Sequence, residues 1–169
     1  MKKILIVLFI IPFFTLSQTI DSIQQTKINY EPSIVKVEKT KEEIYSKITS
    51  WINRYYKNPE LVIKANEKDT YLRLSSISTY SFFQSGINTN SYSYDLEISI
   101  QDGKYKVEFF NIHDQDGYGD GYYPACLYNK KGEYRSFKKV SESLEKGMLQ
   151  SINKIHFEIF DYIIGKKEW

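Results

Sequence analysis

The sequence predicts an α+β domain in which helices cover one face of a curved antiparallel sheet. Segments that alternate apolar and polar residues occupy its centre, which is the pattern of half-buried strands. An amphipathic helix with a clear start signal precedes most of them, and a longer one follows. Each helix has an apolar stripe that must pack on another surface, and the apolar face of the strands supplies that surface.

The first seventeen residues have the features of an export signal. Two lysines precede an apolar run from Ile4 to Leu16, as in a secretory signal peptide. The run is shorter than the roughly 20 residues of a bilayer-spanning helix, and Pro12 interrupts it. We therefore expect residues 1–17 to be cleaved and the protein to be secreted or periplasmic. A retained membrane anchor is the alternative.

Composition limits the possible partners. Cleavage would remove two of the 23 Lys and Arg residues and none of the 21 acidic ones, so the mature chain would be neutral. Nucleic-acid affinity depends mainly on an excess of Lys and Arg, so we expect no nucleic acid as partner. The remaining length suits a lead-in segment at 18–32, of uncertain order, and one domain at 33–165.

The first predicted elements are a strand and a helix in close succession. Residues 33–39 alternate in polarity and predict a strand. Thr40 and Glu43 have the spacing of a capping box, and Asn58-Pro59 ends the helix near Lys57. Its apolar stripe consists of Ile44, Ile48, Trp51, Ile52 and Tyr55.

Two further strands are predicted before a polar stretch. Residues 61–63 predict a second strand, and residues 66–69 a turn. Leu72 and Leu74 then alternate with polar neighbours in a third strand. The stretch 78–93, rich in Ser, Thr and Tyr, is open to three interpretations: an extension of this strand, a bend, or a mobile loop.

The Asp-Gly pair at 102–103 predicts a hairpin with a type I′ turn. Pairing Gln101 with Lys104 brings three apolar pairs to one face, whereas a slip of one residue would split them. These pairs are Ile100 with Tyr105, Ile98 with Val107, and Leu96 with Phe109. On the other face Glu97 opposes Glu108, and Lys106 lies diagonally adjacent to relieve the repulsion.

The last third predicts a short strand, a turn and a long helix. Residues 125–128 are the strand, 130–133 the turn, and about 138–164 the helix. Its apolar positions are Val140, Leu144, Met148, Ile152, Ile155 and Ile159. Gly147 within it costs about 1 kcal/mol against Ala, which predicts a later start or local weakness.

Several of these residues together resemble a known family. Val35-Lys36-Val37-Glu38 leads into the capped helix with Trp51, and a later strand ends in Gln101-Asp102-Gly103-Lys104-Tyr105. This is similar to the exported bacterial family called domain of unknown function 4468, over residues 34–112. The resemblance implies a TATA-binding-protein-like fold and supplies no catalytic or binding residues. Such a fold does not by itself imply DNA binding.

The loop 113–124 is the best candidate for a site. Asp114, Asp116 and Asp120 alternate with glycines, and clustered carboxylates are ligands for Ca²⁺. The spacing fails the EF-hand pattern because Tyr118 takes the fifth position and the twelfth lacks a Glu. A solvated turn is the alternative, so we assign no metal, cofactor or catalytic residue.

Cysteine and histidine give weaker signals. Cys126 is the sole cysteine, so we expect a buried thiol, with pairing between chains as the alternative. His113 could act as a general base oriented by the neighbouring Asp114 carboxylate, but we interpret it as a half-exposed residue at the end of a strand. His156 lies next to the apolar face of the last helix, where a tolerated or hydrogen-bonded histidine is the common outcome.

Tyrosine is abundant, with 15 residues. The candidate binding residues among them are Tyr92, Tyr94, Tyr118, Tyr122, Tyr123 and Tyr128. They predict either a binding surface for a sugar, peptide or protein, or ordinary strand residues.

Together these features favour an exported, non-enzymatic binding or accessory module of the bacterial cell envelope. It would contact a protein or glycan through an exposed sheet face or the loop 113–124. The alternative is a hydrolase or a calcium-dependent site built on that loop. A third possibility is an assembly module that pairs through an edge strand or Cys126.

Overall fold

A five-stranded antiparallel sheet with helices against one face forms the described part of the chain, as the sequence predicted. The computed structural model describes residues 18–26, 29–115 and 121–166, and the predicted signal segment lies outside them. The strand order is β1-β5-β4-β3-β2. The elements are β1 Ser33–Lys36, α1 Lys41–Tyr55, α2 Pro59–Val62, β2 Ile63–Glu67, β3 Tyr71–Phe83, β4 Ile87–Gln101, β5 Lys104–Asp114, a 3-10 turn Ala125–Leu127, and α3 Lys138–Ile163.

The capping box at the start of α1 is confirmed. Thr40 Oγ1 accepts from the Glu43 amide at 3.3 Å, and Glu43 Oε2 accepts from the Thr40 amide at 2.8 Å. Four of the five stripe residues then pack inward, with the Trp51 side chain 1% exposed, whereas Tyr55 in the last turn is partly exposed. The helix ends at Tyr55, two residues earlier than predicted, and the extended Tyr56 places its ring against the Trp51 ring.

The predicted hairpin register is confirmed throughout. Gln101 pairs with Lys104, and the three predicted apolar pairs follow and are buried. The turn is not type I′, because that turn needs positive φ at both central residues and Gly103 alone of the two has it. Asp102 instead turns its carboxylate to the start of α1, where Oδ1 accepts from the Lys41 amide at 2.9 Å. This contact satisfies one of the free amides of the first helical turn.

Two predicted strand segments are helical instead. Residues 61–62 belong to α2, because Pro59 is well suited to the first position of a helix, and β2 starts at Ile63. Residues 125–127 form a 3-10 turn rather than a strand. The polar stretch 78–93 takes the first of its three interpretations, since β3 and β4 remain paired up to Phe83 and Ile87.

The edge of β3 is covered in two parts. The short β2 pairs with β3 as far as Leu74. Farther along, α3 lies against the strand, and its serines bind the free backbone groups. Ser143 Oγ accepts from the Phe83 amide at 2.6 Å, and Ser151 Oγ donates to the Thr79 carbonyl at 2.7 Å.

Gly147 lies between these serines and makes the close approach possible. A Cβ at this position would stand 2.0 Å from the Ser81 carbonyl oxygen. The expectation that Gly147 delays the start of the helix is therefore wrong, because α3 runs unbroken from Lys138 to Ile163; local weakness stays a prediction. The intrinsic cost of glycine is offset by contact with the strand.

The described part of the lead-in segment docks on α3. The Asn153 side chain forms hydrogen bonds to both backbone groups of Ile23. It accepts from the Ile23 amide at 2.7 Å and donates to the Ile23 carbonyl at 3.3 Å. The Ile23 side chain is buried. The Glu31 amide donates to the Gln24 carbonyl at 2.8 Å and turns the chain toward β1.

We predict that Gly147→Ala destabilises the protein. In an exposed helix this change would gain about 1 kcal/mol, but here the added methyl must displace the backbone of β3. Overpacking of this kind costs about 1 to 3 kcal/mol, which exceeds the gain, so we expect a net loss of about 1 kcal/mol in urea unfolding. Lys146→Ala, at the exposed neighbouring position, is the control and should unfold like the parent. Unchanged or raised stability of Gly147→Ala would contradict the close approach.

Candidate functional site

The face of the sheet that points away from α1 and α3 is the candidate site. Along β4, buried residues alternate strictly with half-buried ones from Asn90 to Ile100. We call the side chains of the second set, with their neighbours on β1, β3 and β5, the outer face. Because the strands are antiparallel and in register, these side chains form cross-strand rows.

The middle rows of the outer face form a cluster of ion pairs, in which two cations contact three carboxylates. Arg73 contacts Asp95 at 3.0 Å and Glu97 at 3.8 Å, and Lys106 contacts Glu108 at 2.9 Å. The Arg73 guanidinium also lies 5.1 Å from the centre of the Phe110 ring. The predicted Glu97–Glu108 repulsion is thus relieved by Lys106, as expected, and also by Arg73, which lies on the neighbouring strand.

Asp95 is the best held carboxylate of this cluster. Burial raises the pKa of Asp95, but hydrogen bonds from Asn111 and Arg73 and the charge of Arg73 outweigh burial and bring it below its ordinary value. The Asn111 amide donates to Oδ2 at 2.9 Å. A carboxylate that is hydrogen-bonded and ion-paired in this way is suited to orienting its neighbours rather than to accepting protons at neutral pH.

Beyond the ion cluster the outer face becomes weakly polar and then apolar. A Ser/Thr strip crosses β3 and β4, consisting of Ser75, Thr79, Ser81, Thr89, Ser91 and Ser93. Ile77 interrupts the strip and is exposed. At the far end Phe83 and Ile87 stand directly opposite each other, 63% and 85% exposed. We call this pair the apolar tip.

The loop 113–124 is described in part. Asp114 is buried, and its Oδ2 accepts from the Tyr80 hydroxyl at 3.0 Å and from the Tyr123 hydroxyl at 3.4 Å. Burial, followed by the hydrogen bond and charge of its neighbours, raises the pKa of Tyr123. Asp116 and Asp120 lie outside the described residues, so the calcium and hydrolase hypotheses stay predictions. Within the described ranges no three His, Cys, Asp or Glu side chains are grouped to hold a metal.

Cys126 is buried close to this carboxylate. Burial, and then the charge of Asp114, raise the pKa of the Cys126 thiol to about 11. The thiolate is therefore scarce at neutral pH, and the sulfur is not at the surface where a second chain would meet it. His113 is half-buried, as expected, with its ring 5.9 Å from that of the exposed Tyr122.

Three of the five candidate tyrosines that the structure describes are interior strand or turn residues. Tyr92, Tyr94 and Tyr123 are buried, and the Tyr94 hydroxyl lies 2.7 Å from that of Tyr56. Tyr118 is outside the described residues. The signal was present in the sequence, because Tyr92 and Tyr94 have the same parity along β4 as the buried apolar residues of the hairpin.

Sequence reasoning missed Glu145, which joins three segments. Its carboxylate accepts from the Tyr128 hydroxyl at 2.5 Å and from the Tyr134 hydroxyl at 2.6 Å. It also accepts from the Gln25 side chain in the lead-in segment. Nothing in the local pattern indicated this role, since the three donors are 11 to 120 residues away.

His156 lies fully inside the protein. Neither ring nitrogen has a hydrogen-bond partner within the described residues. Burial lowers the pKa of His156 to about 4, and the nearby Asp21 backbone offsets this in part. The imidazole is therefore neutral at pH 7 and packs as an apolar group, with its ring next to that of Phe157.

Comparison with known proteins places the sheet in a family of defined fold. Residues 30–115 match the family described as a domain of unknown function (DUF4468) with TBP-like fold. No protein with a curated description matches the sequence. No helix among the described residues is both long and apolar enough to cross a membrane.

Two solved structures are similar to this chain. One is a TBP-like protein from Parabacteroides distasonis ATCC 8503, with 16% identity, a TM-score of 0.58, and coverage of 79% of this chain and 90% of that one. The other is a DUF4468 family protein from Bacteroides ovatus ATCC 8483, with 11% identity, a TM-score of 0.59, and coverage of 83% and 90%. At such low identity the likeness shows the fold.

We predict that His156 makes the protein acid-sensitive. Its pKa is about 6.5 in the unfolded chain and about 4 in the folded protein, so the unfolded state binds more protons between these values. The stabilisation is complete above pH 6.5 and is lost as the pH falls toward 4, by up to about 3 kcal/mol. Urea unfolding of the parent and of His156→Gln from pH 7 to pH 4 measures it. Parallel slopes for the two proteins would contradict the assignment.

Proposed function

Because the chain belongs to the DUF4468 family, the domain of unknown function with a TBP-like fold, we propose that it is an exported, non-enzymatic binding module of the bacterial cell envelope. It contacts a partner protein through the outer face of its sheet. The observation that carries this proposal is the apolar tip. Phe83 and Ile87 form a cross-strand pair that points away from the helices and is largely exposed.

Exposing two adjacent large apolar side chains to water is unfavourable in free energy. Burying such side chains contributes about 1.5 to 3 kcal/mol each, and this free energy is still available to a partner. Adjacent exposed apolar residues rimmed by polar ones are typical of protein interaction sites. The Ser/Thr strip supplies that rim, with short hydroxyl side chains that lose little conformational entropy on binding.

The scaffold behind the tip favours binding without rearrangement. β3 and β4 remain paired along their whole length, and α3 fixes the β3 edge through Ser143 and Ser151. A surface held in this way loses little further freedom when a partner docks. A protein partner suits this flat surface better than a small ligand, which needs a concave pocket.

Binding rather than catalysis is supported by the state of the reactive groups. The charged residues of the outer face are paired mainly with one another. Cys126 and His156 are buried, with pKa values that keep both neutral at pH 7. Export is supported by the signal-like pattern of residues 1–17.

We predict that the outer face forms crosslinks to a partner in cells. A photoreactive benzoyl-phenylalanine replaces Phe83 in one variant and Phe137 in a matched control. Both positions are exposed phenylalanines, and Phe137 lies at the start of α3, outside the outer face. Irradiation should give a discrete protein adduct from position 83 at a yield at least about tenfold above position 137. Equal yields, or a glycan adduct, would contradict a protein partner on this face.

We predict that the first seventeen residues direct export and are removed. Cell fractionation and N-terminal mass spectrometry should find the protein outside the cytoplasm, beginning at Gln18. Leu8→Arg, which charges the apolar run, should leave a full-length protein in the cytoplasm. Ser22→Arg, at an exposed position of the lead-in segment, is the control and should be exported. A full-length parent retained in the membrane would support an anchor instead.

A further inference from the structure

One corner of the outer face brings lysines from two strands together. β1 and β5 pair so that Lys36 stands directly opposite Lys104, and Ile34 opposite Lys106. On the β4 side, Gln101 is the neighbour of Lys104 and Ser99 that of Lys106. We call this group of six residues the lysine corner.

Two of its lysines take part in no ion pair among the described residues. These are Lys36 and Lys104, whereas Lys106 binds Glu108. The nearby Asp102 carboxylate accepts from a backbone amide. Like charges directly opposite on neighbouring strands destabilise a sheet. A lysine on an edge strand guards against strand addition, which accounts for Lys36 on β1 but not for Lys104 on the interior strand β5.

The corner also contains a small cavity with polar donors. Its volume is about 200 Å³, and Ile34, Ser99, Gln101, Lys104, Tyr105 and Lys106 line it. The Ser99 hydroxyl and the Gln101 side-chain amide are further hydrogen-bond donors beside the lysine ammonium groups. Ile34, which is 67% exposed, provides an apolar wall. This volume is below the roughly 300 to 1,000 Å³ of pockets that enclose whole small molecules, and it fits a single side chain.

We propose that the lysine corner binds carboxylate side chains of an acidic segment of the partner protein. This inference rests on the proposed function and names the chemistry of the partner. The opposed lysines supply the charge that a carboxylate complements, and the ligand charge removes their mutual repulsion. A peptide fits better than an acidic polysaccharide, because the cavity admits one side chain and Ile34 offers contact to aliphatic neighbours.

Binding of a synthetic hexaglutamate peptide tests the proposal. The parent should bind it at 20 mM salt and lose affinity as salt rises, because exposed charges are screened. Lys36→Gln combined with Lys104→Gln should weaken binding about tenfold, since each exposed charge contact is worth a few-fold in affinity. Lys130→Gln combined with Lys131→Gln is the control, because it removes the same charge from an exposed turn elsewhere. The control should bind like the parent.

Three results would overturn the proposal: no binding of hexaglutamate by the parent, equal losses in both double variants, or tighter binding of a uronic-acid hexasaccharide than of the peptide. Thermal unfolding checks that Lys36→Gln/Lys104→Gln folds, and its melting temperature should equal or exceed that of the parent because a repulsion is removed. The crosslink at position 83 reports on the outer face independently. An adduct there without peptide binding would reject the lysine corner and leave the proposed function standing.

Discussion

The two-residue alternation of β3, β4 and β5 is the constraint on which the rest of the structure depends. Pairing Gln101 with Lys104 fixes the parity of the hairpin as far as Asp95 and Phe110, beyond which a bulge on β5 shifts the register by one residue. Side chains of one parity are buried under α1 and α3, and side chains of the other parity form the outer face. A slip by one residue would exchange the two sets on one arm, which would place charges such as those of Lys106 and Glu108 on β5 in the interior.

This constraint explains which features were predictable. The capping box, the hairpin register and the burial of Trp51 follow from local spacing, because each depends on residues close in sequence. The likeness to the DUF4468 family was also visible there, and the matched region is 30–115. Tyr94 belongs to the alternating arm of the predicted hairpin. Tyr92 has the same parity, but it lies in the polar stretch 78–93, which was open to three interpretations.

Other features depended on contacts between distant residues. In the sequence Gly147 looks like a weak point of the helix, and only the position of the Ser81 carbonyl beside it explains why glycine is needed there. The clamp of Asn153 on Ile23 joins residues 130 positions apart, and the lysine corner exists because β1 lies beside β5. Residues 61–62 were misassigned because three apolar residues in a row do not distinguish a helical turn from a strand. The aspartates of the loop 113–124 remain a prediction, since two of the three are outside the described residues.

The position of α3 against β3 also bears on the solubility of the chain. Unpaired strand edges template the growth of intermolecular sheets, and β3 beyond Leu74 would be such an edge without Ser143, Gly147 and Ser151. The helix is therefore as important for keeping molecules apart as for filling the interior. A chain shortened before residue 138 would be expected to polymerise rather than merely to melt at a lower temperature.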